Sequence, residues 1–98
     1  MLENLTIDDF SGRVGETFRA TADEGRTLTL TLASVDGLPR PVGDKGREPF
    51  SLEFRDAADD HVPQQTVAVE HDDLGSFDLF VVPLGPSEQG MRYEAIFT

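Results

Sequence analysis

The sequence predicts a mainly β domain, a six-stranded antiparallel β-barrel or barrel-like sandwich with a short N-terminal α-helix. Three observations carry this reading: apolar and polar residues alternate with period two from Glu16 onward, turn residues separate six short alternating runs, and no crossover helices lie between those runs. At 98 residues the chain is expected to be a single domain spanning residues 1–98, large enough to enclose one core without disulfides and too small for two.

Residues 6–13 read as the helix. Thr6 stands as N-cap, Asp9 follows three residues later in the capping-box position, and Asp8 and Asp9 occupy the first turn, where the helix dipole favours negative charge. Ile7, Phe10 and Val14 make one side apolar, and Gly12 and Gly15 end the segment. A helix this short is stable only when docked on something.

Phe18, Ala20 and Ala22 then alternate with polar neighbours, and Asp23-Glu24-Gly25 turns the chain into residues 27–32, where three Thr and three Leu separate onto opposite faces. At Ala33-Ser34-Val35 the alternation slips by one residue, as a β-bulge makes it do. Residues 37–49 hold three Pro and three Gly, which no central strand accommodates, so they form a long surface loop. Phe50, Leu52 and Phe54 mark the third strand, a polar turn over residues 56–65 leads to a fourth at residues 66–71, and residues 72–75 connect it to a fifth at residues 77–84. The stretch 85–90 reads as a turn before the last strand, residues 91–97.

The fifth strand departs from simple alternation. Phe77, Leu79 and Val81 point one way while Phe80, Val82 and Leu84 point the other, and Ile96 falls on that second face. Such a stripe is costly to leave in water, and the N-terminal helix, with Phe10 and Val14, is its expected cover; a subunit interface is the competing reading.

Eight basic against nineteen acidic residues give a formal net charge of −11, which repels phosphate backbones and anionic lipid, so neither nucleic acid nor a membrane is an expected partner. No apolar run approaches the roughly 18 residues needed to span a bilayer. The N-terminus lacks the pattern of a secretory signal and the chain has no cysteine, so the cytoplasm is the expected compartment. The charge is uneven, because Arg40, Lys45 and Arg47 concentrate in the Pro/Gly loop. That loop is either a binding element or a connector whose charges offset the acidic body.

Catalytic motifs are missing. No serine stands in a nucleophile elbow and no phosphate-binding glycine pattern occurs. His71 sits among Glu70, Asp72 and Asp73 and could hold a metal or move a proton, but a strand-end histidine bonded to turn backbone is the preferred reading, and His61 is too distant in sequence to help. Asp56, Asp59 and Asp60 read as solvated turn carboxylates, and Glu53 and Asp78 as outward charges. No catalytic residue, metal or cofactor is therefore assigned.

At Arg47-Glu48-Pro49-Phe50-Ser51-Leu52-Glu53-Phe54-Arg55, Val69-Glu70-His71, Leu74-Gly75-Ser76-Phe77, Val82-Pro83-Leu84-Gly85-Pro86 and residues 90–97, and at the opening Asn4-Leu5-Thr6 with Asp9-Phe10 and residues 14–18, the chain resembles a family of small bacterial proteins that carries a domain-of-unknown-function label. The resemblance covers nearly the whole chain and implies an accessory of a phage-tail-like assembly, beside tail-collar-like or fibre-like proteins. It carries over no catalytic residue.

The expected function is a non-catalytic protein-interaction or structural module with a protein partner or a second copy of itself. Its contact surface would combine Phe80, Val82 and Ile96 with Arg40, Lys45 and Arg47. The alternative is a small-ligand-binding barrel with an aromatic pocket of Phe50, Phe54, Phe77 and Tyr93 and with His71 at its rim.

Overall fold

The computed structural model describes residues 5–39, 49–56, 62–88 and 90–97. A single helical turn, α1 (Ile7–Ser11), precedes strands β1 (Thr17–Thr21), β2 (Thr27–Gly37), β3 (Phe50–Asp56), β4 (Gln65–His71), β5 (Gly75–Ser87) and β6 (Gly90–Phe97). The six strands close into an antiparallel barrel in the order β1-β2-β3-β6-β5-β4. Two three-stranded meanders, β1-β2-β3 and β4-β5-β6, are thus sealed by the β3–β6 and β1–β4 pairings, so that each of the six described strands has a neighbour on both sides.

The meanders share a second feature. Each bends at an irregularity in its long middle strand, between Leu32 and Ser34 in β2 and between Pro83 and Gly85 in β5. The first is the slip expected at residues 33–35. The second lengthens β5 beyond the expected end at residue 84, through Pro86 to Ser87. Proline and glycine there signal a turn, but Gly85 at φ +113 supplies a conformation that L side chains resist, so the bulge absorbs the irregularity inside the strand.

Alternation fills the interior. Leu28, Leu30 and Leu32 of β2, Leu52 and Phe54 of β3, Val67 and Val69 of β4, Phe77, Leu79 and Val81 of β5, and Tyr93 and Ala95 of β6 are all buried. This is how a barrel of few strands is normally packed, with side chains rather than solvent.

The helix is shorter than expected and has a different job. Its cap forms as read, with the Thr6 N–H donating to Asp9 Oδ2 at 2.7 Å and the Asp9 N–H to the Thr6 carbonyl at 3.0 Å. It does not cover the outer face of β5, however. Phe10 turns into the mouth of the barrel, its ring centroid 5.4 Å from Phe97, 5.8 Å from Phe50, 6.2 Å from Phe18 and 6.3 Å from Phe77. Four aromatic neighbours offer one ring far more burial than a flat outer wall, so Phe80 and Ile96 stay exposed, and Val14 is itself 54% exposed.

The opposite end is closed by Val62, a buried residue whose N–H donates to the Tyr93 hydroxyl at 3.1 Å. The segment expected to be a polar turn therefore returns an apolar side chain to the core. Asp56 likewise proves to be the last residue of β3, paired with Met91 and fully buried, rather than a solvated turn carboxylate. Asp59, Asp60 and His61 lie outside the described residues, as do Arg40, Lys45 and Arg47. Among the described residues no helix is long and apolar enough to cross a membrane.

Candidate functional site

Three regions qualify for chemistry or binding. The first surrounds His71 at the end of β4, where the chain turns through Asp72, Asp73 and Leu74 into β5. The His71 side chain is 4% exposed and its ring lies 4.4 Å from that of Phe18. Nδ1 accepts the backbone N–H groups of Asp73 at 3.1 Å and Leu74 at 3.2 Å, while Nε2 faces Glu16 Oε1 at 2.7 Å. Because Nδ1 is an acceptor, the ring proton resides on Nε2 and is donated to Glu16.

Arg13 completes the cluster. One guanidinium nitrogen, Nη1, bonds Asp73 Oδ2 at 2.9 Å and approaches Glu16 Oε1 at 3.4 Å, while Nε donates to the Asp9 carbonyl at 2.8 Å. The bond to Asp73 above all, with Glu16 assisting against some desolvation, raises the Arg13 pKa above its already high ordinary value. The helix, the start of β1 and the β4–β5 turn are thereby tied into one network.

Glu16, His71 and Asp73 place one possible metal ligand each within 4.8 Å of one another. Their hydrogen bonding does not fit a metal. A cation on Nε2 would push the proton to Nδ1, where it would meet two backbone N–H donors, and the permanent charge of Arg13 would oppose the cation. General-base work fares no better, since both ring nitrogens are engaged and the side chain is nearly inaccessible. His71 is the turn-bonded strand-end histidine that the sequence favours.

The second region is the expected aromatic pocket. Phe50, Phe54, Phe77 and Tyr93 do converge inside the barrel, but on other side chains rather than on space. Phe50 stacks on its cross-strand partner Phe97 with centroids 4.5 Å apart, Phe54 meets Phe18 edge-on at 5.5 Å, and Phe10 sits against Phe50 and Phe77. A ligand at this end would have to displace Phe10, whose part the helical spacing alone does not disclose. At the other end an open recess of about 220 Å³ is lined by Asp23, Glu24, Arg26, Val62, Pro63 and Gln65. The Gln65 amide is already committed, accepting the Asp23 N–H at 2.8 Å and donating to the Pro63 carbonyl at 3.0 Å.

The third region is the outer wall formed by β5 and β6. Phe80 is 50% exposed, Ile96 56% and Leu84 38%, with Val82 half-buried. Val82 pairs with Glu94, and Phe80 and Ile96 each lie two residues beyond that pair, on the same outer face of neighbouring strands. These are large apolar side chains where the outer positions of β1, the first half of β2 and β4 present Thr, Ala and charge.

A family model described as a domain of unknown function, DUF6916, matches residues 5–97. The chain belongs to this family. The match takes in α1 and all six strands, so the DUF6916 domain and the barrel are the same unit. No curated protein and no solved structure matches the chain.

Proposed function

We propose that this DUF6916 domain is a non-catalytic protein-interaction module whose contact surface is the outer wall around Phe80, Val82 and Ile96. One observation carries the reading: Phe80 and Ile96, both at least half exposed, each lie two residues beyond the Val82–Glu94 pair, on the outer face of strands whose inward residues already complete the core. An exposed apolar patch of this kind stabilises a complex when a partner removes it from water. The His71 network supports the same conclusion from the other side, because the most reactive-looking residue of the sequence is consumed in holding the fold together.

A cysteine-free chain suits a reducing compartment, and the cytoplasm is the setting we propose. The tail-like assembly of bacterial origin implied by the family resemblance is our proposal for the larger context, since an accessory subunit of such a particle works by being held against a neighbour.

The test compares proteins retained from the source cell by the wild-type domain and by the Phe80→Ser/Ile96→Ser double variant at matched thermal stability. A defined subset of proteins lost only on the double variant supports the reading. Identical retained sets remove it.

A further inference from the structure

We infer that the occupant of the Phe80–Ile96 wall is a cationic, apolar segment of another protein and not a second copy of this chain. The inference rests on the reading of that wall as the contact surface and adds the chemistry of what it meets.

The argument starts from the acids around the patch. Asp78 precedes Phe80 by two residues on the same outer face and is exposed. Glu94 precedes Ile96 by two residues and sits opposite both Val82 and Glu53. Asp36 is exposed on β2 and is separated from Ile96 by its pairing partner Ser51, which is itself buried. Among the described residues, the cations on the neighbouring strands, Arg55 on β3 and Arg92 on β6, are both drawn toward Glu53, at 3.3 Å and 4.0 Å. Among the described residues no ion pair offsets Asp78, Glu94 or Asp36. Among the described residues the apolar centre is therefore rimmed by negative charge that no ion pair offsets.

That rim discriminates between occupants. A two-fold contact places the same patch on both subunits, so a second copy would bring one acidic rim of Asp78, Glu94 and Asp36 up to the other, within bodies that each carry a net charge of −11. The opposing rims would lie closer than the screening length of about 8 Å at physiological salt, so the repulsion would be felt. A partner presenting Leu, Ile or Phe flanked by Lys or Arg meets the opposite situation: the apolar side chains cover Phe80 and Ile96, and the cations are steered to the acids.

The experiment titrates the ¹⁵N-labelled full chain with a short amphipathic Lys/Leu peptide and with its Lys→Gln counterpart, while light scattering follows the oligomeric state. Expected are shift changes centred on residues 78–82 and 94–96 for the Lys/Leu peptide, binding weakened about tenfold in Asp78→Asn/Glu94→Gln, and near-wild-type binding in Glu24→Gln/Asp72→Asn, which neutralises as much charge elsewhere. Equal binding of both peptides at the wall would overturn the charge inference while leaving the contact surface standing. Peptide shifts centred on other acids, with no effect of Phe80→Ser/Ile96→Ser, would remove both. A concentration-dependent dimer abolished by Phe80→Ser would overturn the choice of partner.

Discussion

His71 Nε2 and Glu16 Oε1 meet at 2.7 Å although 55 residues separate them, and their bond ties the entry of β1 to the end of β4. The same imidazole caps its turn through Nδ1, so one side chain satisfies groups on two elements. His71→Ala leaves two backbone N–H groups without their acceptor and takes one donor from the Glu16 carboxylate, which keeps Arg13, and a loss of about 1–3 kcal/mol is expected by urea denaturation. Glu16→Gln keeps an acceptor for Nε2–H and should cost less than Glu16→Ala. Long-range ¹H–¹⁵N spectra should show the proton on Nε2 and a bare Nδ1, and added zinc should leave both the spectrum and the unfolding midpoint unchanged.

Glu24 is the only described residue other than glycine with positive φ, at +63. It precedes Gly25, at φ +74, in the connection that takes β1 into β2. A left-handed non-glycine residue costs about 1–2 kcal/mol, so Glu24→Gly is expected to raise the unfolding midpoint by an amount equivalent to roughly 0.5–1 kcal/mol after glycine's larger unfolded-state entropy is counted. Gly85→Ala should act the other way. A Cβ there meets nothing within 4 Å, so the expected loss of about 1 kcal/mol comes from the φ of +113 alone, and a crystal structure of the variant should show a shifted bulge rather than a displaced neighbour.

Much of this architecture is legible in the residues because it is local. Thr and Leu alternating over residues 27–32 declare one buried face, the slip at residues 33–35 declares the bulge, and Thr6 with Asp9 declares the helix start. What is hidden depends on partners distant in sequence. Nothing near Phe10 says that Phe18, Phe50, Phe77 and Phe97 will surround it, nothing near His71 points to Glu16, and a lone Asp56 after a strand looks solvated until the Met91 pairing buries it. The exposed wall lies between these cases: the doubly apolar β5 shows in the sequence, but whether α1 covers it is decided by the barrel mouth.

Phe10→Ala opens that mouth. Removing a ring enclosed by four others should cost about 3–5 kcal/mol and leave an apolar cavity, a kind of site that stays dry and accepts benzene-sized molecules. Benzene or indole is therefore expected to raise the unfolding midpoint of Phe10→Ala and leave the wild type unmoved. Stabilisation of the wild type by the same compounds would revive the ligand-binding barrel, since it would show that α1 yields its place.

Phe77 and Phe80 provide the sharpest comparison, because the two rings sit three residues apart on one strand and face opposite ways. Phe77 is 7% exposed and packs on Phe10, whereas Phe80 is 50% exposed on the outer wall. If the inner ring serves the fold and the outer one serves binding, substitution should separate the two properties. Phe77→Ala is expected to lose about 3–5 kcal/mol of stability, as truncation of a buried ring does. Phe80→Ser should stay within about 0.5 kcal/mol of wild type, as surface substitutions do, while weakening attachment to the partner. A Phe80→Ser variant as unstable as Phe77→Ala would place Phe80 among the structural residues and take the contact surface away.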